Sequence, residues 1–233
     1  MAIWNGGTLS KRSIWTFTVL ALALCLGTLP AMAQQTFFTD LGTGNDVYNC
    51  CEGWTVSGTG TIGESFTSAN LFTSLASGSV SQIDVAVSYV TGTNAFYASI
   101  WTDNNGIPGT ELWNQQNLSS SQPVGGCCGL VTITGISGLS LTAGQQYFVV
   151  IGPESITGTT FEVFDWNNQG ATGLDLFSNN GGQTWTSNGT STLGAFDILG
   201  SSGTGTVPEP SSLLLLGTGL VGAFTTLRKK IMR

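Results

Sequence analysis

Between Ala33 and Leu227 the chain carries no lysine, arginine or histidine. Its six basic residues, Lys11, Arg12, Arg228, Lys229, Lys230 and Arg233, all sit at the two ends. All thirteen carboxylates, from Asp40 to Glu209, fall in the stretch between. A fold built from that stretch forms no Lys or Arg salt bridge. It offers no phosphate-neutralising surface either, which excludes ordinary nucleic-acid binding and attachment of the domain to anionic headgroups. The simplest consequence of the acidity is solubility outside the cell.

The same composition removes most catalytic chemistry. Serine triads and cysteine proteases need a histidine base, and this chain has none. What survives is a carboxylate pair of the glycosidase kind. The densest candidate is Phe161-Glu162-Val163-Phe164-Asp165-Trp166. On a strand, the odd spacing of Glu162 and Asp165 sends them to opposite faces, where they form no dyad. No catalytic residue, metal ligand or cofactor is therefore expected. The tryptophans Trp54, Trp101, Trp113, Trp166 and Trp185 read first as core or rim packing. An exposed row of them would instead suggest a carbohydrate-binding module. Asn117-Leu118-Ser119 and Asn188-Gly189-Thr190 fit the glycosylation sequon and read as turns.

The two ends carry transport signals. Lys11 and Arg12 precede an apolar run over residues 14–29 and then Pro30-Ala31-Met32-Ala33. This order describes a signal peptide, expected as a helix over 1–33, with Ala31 and Ala33 as the small residues of the cleavage site and Gln34 as the new N-terminus. A retained anchor is the plainer alternative. Lipoprotein processing at Cys25 is disfavoured by Leu24, where a small side chain is needed.

At the other end, Val207-Pro208-Glu209-Pro210 leads into residues 211–227 and then Arg228-Lys229-Lys230. The two prolines hold the triplet extended and exposed. The apolar segment, read as a single transmembrane helix, rises about 25 Å, the short limit for crossing a bilayer core. The basic end should stay cytoplasmic. A plain single-pass anchor would share these features. These residues closely resemble the PEP-CTERM sorting signal. The resemblance implies that an exosortase, a membrane transpeptidase-like enzyme of exopolysaccharide-producing Gram-negative bacteria, recognises Pro208, Glu209 and Pro210, with Arg228 beginning the stop-transfer end. Thr225-Thr226 is more polar than the family pattern.

With Cys25 in the leader, four of the five cysteines remain, as the adjacent pairs Cys50-Cys51 and Cys127-Cys128. An even count in an exported chain reads as disulfides. Neighbouring Cα atoms lie about 3.8 Å apart, closer than the roughly 4.4 Å a disulfide normally needs. Linkage between the pairs is therefore expected, in either register. It closes loops of about 77 residues, worth roughly 4.5 kcal/mol for the first bridge. Zinc is the sharper alternative, but the chain lacks histidine and Cys-x-x-Cys spacing.

The middle reads as strands punctuated by Gly, Ser, Thr and Asn. Ile83, Val85, Val87 and Tyr89 alternate with Asp84, Ala86 and Ser88, the period-two pattern of a half-buried strand. Thr91-Gly92-Thr93-Asn94 turns the chain into residues 95–101. Further strands are expected at 54–56, 62–66, 111–113, 130–134, 146–151, 160–166, 174–177 and 193–199. No stretch has a convincing helical period. The fold class is all-β, an antiparallel β-sandwich of jelly-roll type over residues 34–200, followed by a linker at 201–206 and the sorting signal at 207–233.

From Tyr97 the sequence runs Y-A-S-I-W-T-D-N-N-G-I-P-G-T-E-L, and from Leu139 it runs L-S-L-T-A-G-Q-Q-Y-F-V-V-I. Together these resemble the extracellular sandwiches called choice-of-anchor domains, which implies fold and lifestyle and no particular chemistry. Asp103-Asn104-Asn105-Gly106 is expected as a hairpin turn. A calcium loop is the alternative there, though the spacing departs from D-x-[DN]-x-[DN]-G. The sequence thus describes an exported surface or matrix protein without enzymatic activity. An exosortase-type processing enzyme is its expected partner, and exopolysaccharide binding is the rival role.

Overall fold

The computed structural model describes residues 34–44, 46–50, 52–155 and 161–202. The signal peptide with Ala31 and Ala33, Cys51, most of the linker, and the sorting tail with Pro208, Glu209, Pro210 and Arg228 lie outside them. Among the described residues, thirteen strands and one short helix follow in order. They are β1 (Gln35–Thr39), β2 (Gly53–Ser57), α1 (Thr59–Ile62), β3 (Thr67–Thr73), β4 (Gly78–Val85), β5 (Val87–Gly92) and β6 (Phe96–Asp103). Then come β7 (Pro108–Leu118), β8 (Val131–Thr134), β9 (Ser140–Leu141), β10 (Gln146–Pro153), β11 (Glu162–Ser178), β12 (Thr186–Gly194) and β13 (Phe196–Ser202).

The strands form two antiparallel sheets. The smaller runs β1-β13-β4-β8, with β9 also on β4. The larger runs β12-β11-β3-β10-β6-β7, with β2 and β5 also on β11. Ile83, Val85, Ile133, Phe196 and Ile198 of the smaller sheet meet Phe96, Ile100, Val149, Ile151, Phe164 and Trp166 in one core. Each such side chain contributes roughly 1.5–3 kcal/mol by leaving water. Leu139, Leu141 and Tyr147, which carry part of the family resemblance, belong to this core.

Several local readings differ from the structure, each for a visible reason. The strand expected at 193–199 is divided at Ala195, which lies between β12 and β13 and donates its N–H to Asn167 O at 2.7 Å. Asn188-Gly189-Thr190, read as a turn, lies inside β12, where Gly189 pairs with Asp175. The alternation from Ile83 to Tyr89 is divided between sheets at Ala86, whose N–H donates to Ala195 O at 3.0 Å and whose carbonyl accepts from Asn167 N at 2.9 Å. The chain crosses there from the smaller sheet, which holds β4, to the larger, which holds β5. Conversely, the strands expected at 160–166 and 174–177 are one strand, β11, with an irregular register between Asn168 and Thr172.

In place of a strand at 62–66 there is α1, closed by Gly63 at φ 82° with its N–H on Thr59 O, a left-handed cap that suits glycine. A single Ser57–Phe66 bridge follows, and the strand begins at Thr67. Finally, β13 extends through Ser202, pairing Ser202 with Gly78, so it takes the first two residues assigned to the linker. The β6–β7 hairpin turns at Asn105 (φ 56°) and Gly106 (φ 82°), with Gly106 N donating to Asp103 Oδ1 at 2.7 Å.

Candidate functional site

Along β11 the side chains alternate, so Glu162, Phe164 and Trp166 are buried while Val163 and Asp165 are half-buried on the other face. Glu162 and Asp165 are thereby kept apart, as their spacing implies. Burial raises both carboxyls above their ordinary range, and for Glu162 the N–H groups of Ser155 and Glu154 oppose it.

The tryptophans do not form one row. Trp166 is fully buried, its Nε1 donating to Ala195 O at 3.2 Å. Trp113 packs on the main core, and Trp101 and Trp185 pack on a second cluster around Phe148 and Leu176. Trp54 alone among the five walls the cavity described below.

A disulfide joins Cys50 to Cys127, one of the linkages between the pairs. It ties residues of the Leu41–Cys50 segment beside Tyr48, Ala86 and Ala195. Among the described residues the sulfurs of Cys50, Cys127 and Cys128 lie within 4.8 Å of one another. Two of the three are spent in the bridge, so the set does not fit a zinc thiolate site.

Two carboxylate clusters were not visible in the sequence. In the smaller sheet Asp84 and Asp197 are direct cross-strand partners. Asp84 is 6% exposed. Its Oδ2 accepts from Gln82 Nε2 at 2.6 Å, while Oδ1 of Asp84 and Oδ1 of Asp197 find no donor as carboxylates. A proton on Asp197 gives it a hydrogen bond to the facing Asp84. Burial first, and then the facing Asp84, pushes Asp197 up to about 7. Nearby Asp40 takes Phe196 N on Oδ1 at 2.7 Å, and burial pushes it up to about 7 as well.

In the larger sheet Asp175 is 1% exposed. Its Oδ1 accepts from Asn70 Nδ2 at 2.6 Å and Ser68 Oγ at 3.4 Å, and its Oδ2 accepts from Asn188 Nδ2 at 2.6 Å. Burial raises this carboxyl and the three donors oppose the rise. Asp175, Ser68 and Asn188 line a cavity of about 530 Å³ whose apolar walls are Trp54, Phe66 and Phe177. The cavity sits where β11 changes partners. Its residues 163–167 pair with β2 and residues 175–178 pair with β3, so between them β11 meets neither strand. Trp54 is held by Nε1 donating to Thr192 O at 2.6 Å.

No curated protein matches the chain. Among solved structures, the cysteine protease and lectin-like domains of a surface layer associated protein of Clostridium difficile align at 14% identity and a TM-score of 0.39. That alignment covers 59% of this chain and 32% of the other, so this chain spans about a third of that structure. A likeness this slight carries no argument. Residues 206–230 match the family model of the PEP-CTERM protein-sorting motif. The match implies an exported chain that is anchored transiently in a membrane and sorted by an exosortase.

Proposed function

We propose that the chain is a cell-surface or extracellular-matrix protein whose β-sandwich, wound in the jelly-roll manner, acts by contact and turns over no substrate. The observation that carries the reading is the sorting motif at residues 206–230. In this reading the leader is cut after Ala33, Pro208, Glu209 and Pro210 are recognised by the exosortase, and the cytoplasmic basic end from Arg228 stops transfer. The absence of activity is supported by what the domain offers for proton transfer. Without cationic groups only carboxylates remain, and Glu162 and Asp165 lie on opposite faces. Asp84 faces Asp197 directly across two strands and is 6% exposed, so this pair lies in the sheet and not in an open cleft.

Expression of the full chain in a host with and without its exosortase tests the reading. The protein should appear in the surface or matrix fraction of the competent host and stay with the inner membrane of the other. Equal surface delivery without the enzyme contradicts it. Release of reducing ends from a polysaccharide, lost when two facing carboxylates are replaced, would contradict the contact role.

A further inference from the structure

We propose that the cavity at the β11 partner change binds an uncharged pyranose chain, with Trp54 as stacking wall and Asn188 as polar arm. The inference rests on the contact role above and names its ligand class. Trp54 spends its only donor on Thr192 O, so what it presents to a ligand is an oriented aromatic face. Phe66 and Phe177, with ring centroids 6.1 Å apart, complete the apolar part of the wall. Sugar rings offer one face of C–H groups to such a surface and a rim of hydroxyls to polar neighbours. The volume lies within the roughly 300–1,000 Å³ typical of small-ligand sites.

The polar side of the cavity sets the charge of the occupant. Asp175 uses three of its roughly four acceptor positions on Asn70, Ser68 and Asn188. It acts as a positioning residue that aims the exposed Asn188 amide. An anionic sugar would meet this carboxylate, and no lysine, arginine or histidine lies anywhere between Ala33 and Leu227 to offset the repulsion. A purely apolar ligand would leave Asn188 covered and short of partners. Hydroxyls both donate and accept, and so satisfy both sides.

Exported protein purified from the producing cells is titrated with cellohexaose, laminarihexaose, maltohexaose and mannohexaose, following tryptophan fluorescence, up to about 10 mM, the range of weak single-site binding. The negative arms are hexagalacturonate and hexaglucosamine, with and without added salt. Two variants accompany the wild type: Trp54→Ala, and Thr55→Trp, which fills the cavity from an exposed position on its wall. At least one neutral hexasaccharide should bind, insensitive to salt, and Thr55→Trp should weaken it by roughly tenfold or more, about 1.4 kcal/mol. Melting curves verify that Thr55→Trp stays folded, so the test stands even if Trp54→Ala does not.

Failure of all four neutral sugars overturns the proposal. So does binding that Thr55→Trp leaves unchanged, or a preference for either charged hexamer that salt removes. Processing is measured on the same material. A protein that is sorted correctly but binds none of these sugars defeats the cavity proposal and leaves the delivery reading standing.

Discussion

The two sheets bury their carboxylates in opposite ways. Asp175 in the larger sheet is clad by two amides and a hydroxyl, whereas Asp84 and Asp197 in the smaller sheet face each other, with one glutamine amide donating to Asp84. In most proteins an arginine or lysine would settle either case. Here the fold has none to use, so a buried acid is matched by neutral donors or else holds a proton. In the first, burial still raises the carboxyl, but three neutral donors oppose the rise. The second makes stability depend on pH.

The largest expected effect comes from the covalent staple beside the acid pair. Replacing Cys50 and Cys127 together by alanine frees a loop of 77 residues and should cost roughly 4.5 kcal/mol on the chain-entropy account. Because the bridge holds the segment that packs on Ala86 and Ala195, hydrogen exchange should rise around Asp84 and Asp197 before it rises around Asp175. Uniform loosening of both regions would break the comparison.

The next effect is the pH profile. Asp40 and Asp197 titrate near 7 in the folded domain against an ordinary 3.8. Between those values the folded protein keeps protons that the unfolded chain has released, so the unfolded state binds fewer and stability falls as pH rises. The full contribution is present below about pH 4 and is gone above about pH 7, and Asp40 alone accounts for on the order of 4 kcal/mol. Calorimetry should find a melting temperature roughly 10 °C lower at pH 8 than at pH 4. Asp197→Asn should flatten that slope, and a profile that instead rises with pH would contradict the raised Asp40 and Asp197.

Smaller effects are expected on the amide-clad side. Asn70 donates to Asp175 and accepts from Gly194 N at 2.7 Å, so Asn70→Ala leaves a buried carboxylate and a buried N–H short of partners and should cost about 2–4 kcal/mol in chemical denaturation. Asn188 is exposed, and its loss to alanine should cost about 1 kcal/mol. Because Asn70 opposes the upward shift of Asp175, Asn70→Ala should also steepen the fall in stability with rising pH that this raised carboxyl contributes. An unchanged pH profile would show that the amide donors do not hold the carboxyl down.

Period-two alternation made the all-β class legible, and the same rule separated Glu162 from Asp165. It did not show where the chain changes sheets or where a strand changes partners, because Ala86 and the middle of β11 look like any other strand residues. The crossing at Ala86 is set by hydrogen bonds with Ala195 and Asn167, far away in the chain. Strand β12, with Thr, Ser, Asn and Gly at most positions, has no apolar alternation to read, since most of its side chains face water. The cavity was hidden for a related reason. Asn70 and Asp175 stand 105 residues apart and meet only through the β3–β11 register. The Asn188-Gly189 pair was read as a turn, whereas it lies within β12, where the Asn188 amide reaches Asp175.

The delivery account is tested most directly by the intact mass of protein extracted from the surface of a host with an active exosortase. The expected chain begins at Gln34 and ends near Pro208-Glu209-Pro210, without the apolar segment and the basic end. Recovery of a chain that still ends at Arg233 from that host would contradict it.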